Sequence, residues 1–429
     1  MTLGLAGFGV LALMGCIVIL CRRDVTPAIP NLLLVVFSNA AYGLGKAFVP
    51  FICIIVPVVL ACMGLHAWLW YFKYPPQEKF HFTFGKLKWS MLALLISAAI
   101  SGIGCGFYSL KYIPLMIAMT VAYFAIYILV LNFADCNRDY LMKCFFAIGL
   151  VICVELMFYY HVEGGDFWYK ITTRQYRWMG WTKYVNATSS MLFLCVPSAL
   201  YLTVKSKYSP LFFSGAIVMM INGALTLSRG NILVALIVLL PLIVYTLIRA
   251  EYRVRTLITA GVWVALAACA TVFLLTTWKD VFARLTSFGN GSGRIPIWGN
   301  TLKWFKKYPI LGMGYYGPNG HPDILASHYS RSVYKVHNSL LQVMMCSGIV
   351  GLLATAYHYF QKAKLFQGFG LFKLYMLCTI LFIEGEGLMD LTITTAYIMM
   401  FMYVFLAAIE KEKNPEPLLR KRNNHLSKQ

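Results

Sequence analysis

Thirteen apolar runs, each near the thickness of a bilayer, follow one another down this chain and leave few folds open. They fall at about 3–21, 28–45, 47–72, 89–109, 112–132, 141–160, 187–204, 209–227, 230–249, 256–277, 338–358, 372–388 and 393–409. About 20 mostly apolar residues are needed for a helix to cross hydrocarbon, where every backbone polar group must find its partner within the chain. Composition removes the soluble alternatives. Of 429 residues, 60% are hydrophobic and 12% charged, against about 25% charged in a soluble domain. No single core buries that much apolar surface, so a soluble enzyme and a disordered chain are both excluded. The expected fold is an all-α polytopic membrane protein of about 12–13 transmembrane helices, one integral membrane domain over 1–429. The first run has no basic start and is followed by Arg22-Arg23, so it is expected to be a helix rather than a cleaved signal.

Charge orients the bundle. The chain has 37 basic and 16 acidic residues, a net charge of +21. In a soluble protein that surplus would suggest nucleic acid; here it sits in short loops, where topology and anionic lipid explain it, and no nucleic-acid partner is expected. With Arg22-Arg23 inside, strict alternation puts 22 of the 37 on the cytoplasmic side. Twelve of the other 15 lie in two long loops, 161–185 and 278–337, and long loops cross largely regardless of charge. Both loops are therefore expected outside, and the tail 411–429 inside, solvated or against lipid and frayed. The 12 cysteines avoid both long loops and form no CxxC pair, so neither a disulfide framework nor a zinc site is indicated, and no metal or cofactor is expected.

The outer loop 278–337 carries eight basic residues and only two acids, Asp280 and Asp323, a surplus that suits an anionic ligand. Within it Ile297, Trp298, Leu302 and Phe305 can share one helical face, with Lys303, Lys306 and Lys307 elsewhere, the pattern of a helix lying in the membrane interface and stopped before Pro309. Ser292 suits its N-cap, and Arg294 then falls in its first turn, beside N–H groups without intrahelical partners. There it can bind a phosphate or grip lipid headgroups. Arg229, in Leu225-Thr-Leu-Ser-Arg-Gly-Asn231, separates two apolar helices at their outer ends and can bind an anion or simply snorkel. His337 stands where the loop enters the next helix, as a cap or as a proton acceptor near neutral pH. Pro309-Ile-Leu-Gly-Met-Gly-Tyr-Tyr-Gly-Pro318 lacks the strand that a dinucleotide motif needs and is expected to be a tight turn with close backbone approach. Further candidates, for acceptor and sugar contacts or as countercharges, are Arg174, Arg177, Asn186, Tyr315, Asn338, Glu384, Glu386 and Asp390. Acids within a bilayer are costly and so functional by default.

Ser228-Arg229-Gly230, Gly293-Arg294 with Trp298, Pro309-Ile-Leu-Gly-Met-Gly314, and His337-Asn338 with Leu341 and the Gly348/Gly351 turn occur here in that order. With the stretch from Gly180 to Asn186-Ala187 and Pro197, they resemble the O-antigen ligase and polymerase superfamily (the WaaL and Wzy proteins) over about 175–360. The resemblance implies a GT-C-like fold and a multi-pass protein of the bacterial plasma membrane. It also implies transfer of a glycan from an undecaprenyl-pyrophosphate donor to a hydroxyl acceptor, lipid-linked or on a lipid A core, at the outer face. Arg229 and Arg294 would hold the donor pyrophosphate and His337 would be the base, with inversion and without a metal. Two other classes fit less well. A transporter or flippase of an anionic lipid-linked oligosaccharide also wants arginines in a membrane cavity, but usually shows two related halves. A cell-wall polymerase of the rod-shape type would place an acidic signature in the large loop.

The orientation is checked with an impermeant thiol reagent on a cysteine-free background in intact cells. Ser327→Cys in the large loop is expected to label and a cysteine placed in 411–429 is not; the reverse pattern would invert the bundle.

Overall fold

The computed structural model describes residues 81–101, 113–162, 185–277, 294–314, 317–320, 334–390, 396–413, 415, 416 and 418, with parts of 14–33 and 61–70. The expected loop 161–185 (Arg174 and Arg177 included) falls almost wholly outside the described residues, as do Ser292, Tyr315 and most of the first three runs. Every extended regular element among the described residues is a helix: α1 Lys88–Ile100, α2 Ile113–Phe133, α3 Arg138–Val162, α4 Val185–Lys205, α5 Ser209–Leu225, α6 Arg229–Arg249, α7 Arg253–Thr277, α8 Arg294–Lys307, α9 Ser339–Lys364, α10 Leu371–Gly387 and α11 Ala396–Lys411. Ten of the eleven coincide with the apolar runs read from the sequence, and α3, α4, α6 and α9 each contain a stretch long and apolar enough to cross a membrane. The chain is an all-α polytopic membrane protein. A helix of 21 residues such as α6 is about 31 Å long at 1.5 Å per residue, a bilayer core's thickness. Its outer face shows why lipid must be the solvent. Leu233, Leu236, Ile237, Leu240, Val244 and Ile248 are all exposed, at the three- and four-residue spacing of one helical side.

The bundle is arranged around α4. From Ala187 to Val204 every side chain of this helix is buried, and α3, α5, α6 and α10 pack against it. Such close approach needs small residues where two helices touch, because lipid tails offer no hydrophobic drive to bring helices together. Gly223 of α5 faces the Phe193 ring of α4, where an added Cβ would come within 2.8 Å of it. Gly149 of α3 likewise sits against Met219 and Cys195. On the remaining sides α2 packs with α11, and α1 with α9.

At one end of the bundle charges are paired. Lys205, closing α4, reaches Asp139 at 3.1 Å and Glu416 at 2.7 Å, while Arg138 reaches Glu412 at 3.0 Å. Leu371 N–H donates to Glu416 O, and the Tyr245 hydroxyl donates to Leu418 O at 3.1 Å. The described tail residues Glu412, Glu416 and Leu418 are thus docked on the bundle, the two glutamates by the basic helix ends. Burial pushes the Glu412 carboxyl up, opposed by the Arg138 guanidinium.

The most unusual backbone feature lies in α9. At Gly348 the helix is broken, with φ 58° and ψ −152°. The strip 309–314 fills the break. Ile349 and Val350 N–H donate to the carbonyls of Pro309 (2.8 Å) and Ile310 (3.2 Å), and the carbonyls they leave, on Met345 and Cys346, accept from Met313 (2.8 Å) and Gly314 (2.9 Å). Two N–H groups and two carbonyls at the break are thus paired again within the chain, as hydrocarbon requires. This is the close approach expected of the glycine-rich turn. Gly312 has φ +70° and its Cβ would lie 2.5 Å from backbone atoms of Cys346 and Ser347.

Gly312→Ala is therefore expected to lower stability by more than the roughly 1–2 kcal/mol that a left-handed conformation costs an L-residue, read as a drop in melting temperature in detergent. Gly261→Ala, on α7 with nothing within 4 Å of the added atom, is the control and should gain about 0.4–1 kcal/mol.

Candidate functional site

At the end of the bundle opposite Lys205, four chain segments bring polar groups together, starting from Asn186 in the first turn of α4. Its amide N donates to Asp390 Oδ2, and its Oδ1 accepts from Ser228 Oγ at 2.8 Å. Asp390, just past the end of α10, holds His337 with 2.9 Å between Oδ1 and Nδ1. A carboxylate can only accept, so Nδ1 carries the hydrogen and, in the neutral imidazole, Nε2 keeps its lone pair. The Asp390 side chain is 9% exposed and that of His337 30%. The acid is sheltered while the imidazole opens to the surroundings.

The backbone at His337 is strained to achieve this. Among the described residues only Cys136, Leu227 and His337 are non-glycine residues with positive φ, and His337 has φ 54°. Such strain persists only where neighbours impose it. The next residue, Asn338, caps α9 by accepting from Leu341 N–H at 2.9 Å and donates from Nδ2 to Leu388 O at 3.0 Å. On the other side Val336 N–H donates to Gln342 Oε1 at 3.0 Å, and Val336 O accepts from Trp298 Nε1 at 3.0 Å. His337 is held from both neighbours. Burial pushes the Tyr334 phenol up, which keeps it a neutral hydroxyl.

Both arginines singled out in the sequence lie at this end. Arg294 is the first described residue of α8. One turn later Trp298 makes its bond to Val336, and α8 packs against α9, so this end of α8 is anchored beside His337. Arg229 is the first residue of α6. Its neighbour Gly230 faces Met389, to whose Cβ an added Cβ would come within 3.0 Å, and its other neighbour Ser228 bonds Asn186. The turn that carries Arg229 therefore touches the segment that carries Asp390. Leu227, with φ 56°, sharpens that turn.

The remaining candidates separate. Glu386 accepts from Ser190 Oγ of α4 and lies at the buried end of the same cluster. Asn231 Nδ2 donates to Asn186 O at 2.8 Å and to Ser190 Oγ at 3.0 Å. Glu384 turns elsewhere, to Lys362 Nζ at 2.5 Å and the Tyr359 hydroxyl at 2.6 Å. Ser190 and Asn231 were missed in the sequence. The available signal was their polarity inside apolar helices, Ser190 one turn after Asn186.

No curated protein matches the chain. Residues 212–356, running from α5 through Arg229, Arg294 and His337 into α9, match the family described as O-antigen ligase.

Proposed function

We propose that this protein transfers a glycan from an undecaprenyl-pyrophosphate carrier to a hydroxyl of a lipid-linked or lipid A core acceptor, at the outer face of a bacterial plasma membrane. The observation that carries this reading is the His337–Asp390 pair at 2.9 Å, held at the same end of the bundle as Arg229 and Arg294. In this mechanism His337 Nε2 takes the proton of the acceptor hydroxyl as its oxygen attacks the anomeric carbon. The bond from that carbon to the pyrophosphate breaks on the opposite face, its electron pair leaves on the pyrophosphate oxygen, and the configuration inverts. Asp390 orients the ring through Nδ1 and stabilises the imidazolium. Arg229 and Arg294 bind the pyrophosphate and its growing negative charge, aided by the N–H groups of the first turns they occupy. Two guanidinium forks suit a pyrophosphate, which is already a good leaving group, and the reaction then runs without a metal.

Transfer is measured with lipid-linked donor extracted from the expressing cells. His337→Ala is expected to cost about 10²–10⁴-fold in rate, the usual worth of a general base, and Asp390→Asn at least about 10²-fold. Arg229→Ala and Arg294→Ala each remove contacts worth roughly 1.5–3 kcal/mol, and lysine should restore only part. EDTA should leave transfer intact. Wild-type turnover in His337→Ala, or loss on chelation, would count against the mechanism.

A further inference from the structure

Ser228 occupies the N-cap position of α6, yet its side chain makes no capping bond. Serine is among the best N-cap residues because its oxygen can accept from the first-turn N–H groups. Here the hydroxyl instead donates 2.8 Å to Asn186 Oδ1, and the amide N of the same Asn186 donates to Asp390 Oδ2. One primary amide thus has its acceptor on the turn that carries Arg229 and its donor on the carboxylate that holds His337. The backbone that carries this amide is itself fixed. Ser190 Oγ lies 2.6 Å from the main-chain carbonyl of Asn186, Asn231 Nδ2 donates to both, and Glu386 binds Ser190 from the buried side. Because α4 is enclosed by four helices, Asn186 has little freedom to follow either partner.

From this geometry we infer that Asn186 is a positioning residue which sets the distance between donor-binding arginine and base. It acts through Ser228 on the pyrophosphate side and through Asp390 on the acceptor side, and touches neither substrate. The inference rests on the transfer mechanism proposed above. It explains why the cap of α6 is given up: a serine that capped its own helix would lose the bond that joins the Arg229 turn to the amide holding Asp390. It also assigns Glu386 a place, as the buried anchor of Ser190 rather than as a second base.

The two arms can be cut separately. Asn186→Asp keeps an oxygen for Ser228 but faces Asp390 with a second carboxylate oxygen where the N–H stood. Ser228→Ala removes only the arginine arm. The protein is purified into nanodiscs, binding of undecaprenyl pyrophosphate is titrated, and transfer is followed with the extracted donor at saturating acceptor. Asn186→Asp should lower kcat at least 30-fold, with donor KM and undecaprenyl pyrophosphate affinity within twofold of wild type. Ser228→Ala should do the converse, raising donor KM and weakening undecaprenyl pyrophosphate binding three- to tenfold with kcat within about twofold. Asn186→Ala, which buries no new charge, should show both losses and carries the test if Asn186→Asp does not assemble. A merely structural role would give parallel losses in all three variants that follow the amount of folded protein, and that result, or wild-type kcat in Asn186→Ala, overturns the inference. Wild-type transfer in Arg229→Ala and His337→Ala would instead remove the mechanism beneath it.

Discussion

The site depends on an exchange of four backbone hydrogen bonds. Where α9 breaks at Gly348, two N–H groups and two carbonyls lose their helical partners and take replacements from the strip 309–314. In water such a break could be repaired by solvent. In hydrocarbon it must be repaired by chain, and each unsatisfied group would cost several kcal/mol. The repair ties the end of α8 to the middle of α9, and the Trp298–Val336 bond ties the start of α8 to the start of α9. Helix α8, whose first described residue is Arg294, is thereby held from both directions.

The second constraint is α4. A membrane helix that faces lipid can carry almost any apolar sequence, whereas one enclosed on all sides must satisfy each polar group from its neighbours. Asn186 and Ser190 of α4, Asn231 of α6 and Glu386 of α10 meet part of this need for one another, Glu386 through one of its two carboxylate oxygens. Their bonds are short-range and directional, so they fix the relative rotation of three helices in a way that the surrounding leucines and phenylalanines do not.

How much of this could be read from the chain follows from the same physics. Helix existence was legible because hydropathy is a property of a whole segment, and ten described helices coincide with apolar runs. Arg229, Arg294 and His337 were legible because a charged or titratable residue at the end of an apolar run is conspicuous. Their mutual placement was not, since residues 186, 228, 337 and 390 meet only through helix packing, and 229 and 294 are carried to that end by the helices they belong to. The glycines marked a turn at Gly348, but its pairing with the strip 309–314 was hidden, because the apolar run 338–358 continues through it. The partners of the acids were hidden too. Glu384, Glu386 and Asp390 lie within seven residues, yet they turn to Lys362, Ser190 and His337 respectively, because successive positions on a helix end face different neighbours.

The packing beneath the site also bears on transport as a rival activity. A transporter needs a path from one membrane face to the other, lined by groups that can part, and typically places its substrate site near the midplane between discontinuous helices. Below Asn186 and Ser190, α4 continues as Met191, Leu192, Phe193, Leu194, Cys195 and Val196, each no more than 2% exposed. Phe193 is wedged against Gly223 and, with ring centroids 5.6 Å apart, against Phe382 of α10. At the far end of the same helix Lys205 is locked to Asp139 and Glu416. Opening a path along α4 would break that lock and expose this layer of rings together. Among the described residues the one discontinuity, at Gly348, is already closed by backbone hydrogen bonds. The polar cluster therefore stands on a closed floor, an arrangement suited to chemistry on a lipid-anchored substrate that approaches and leaves at a single face.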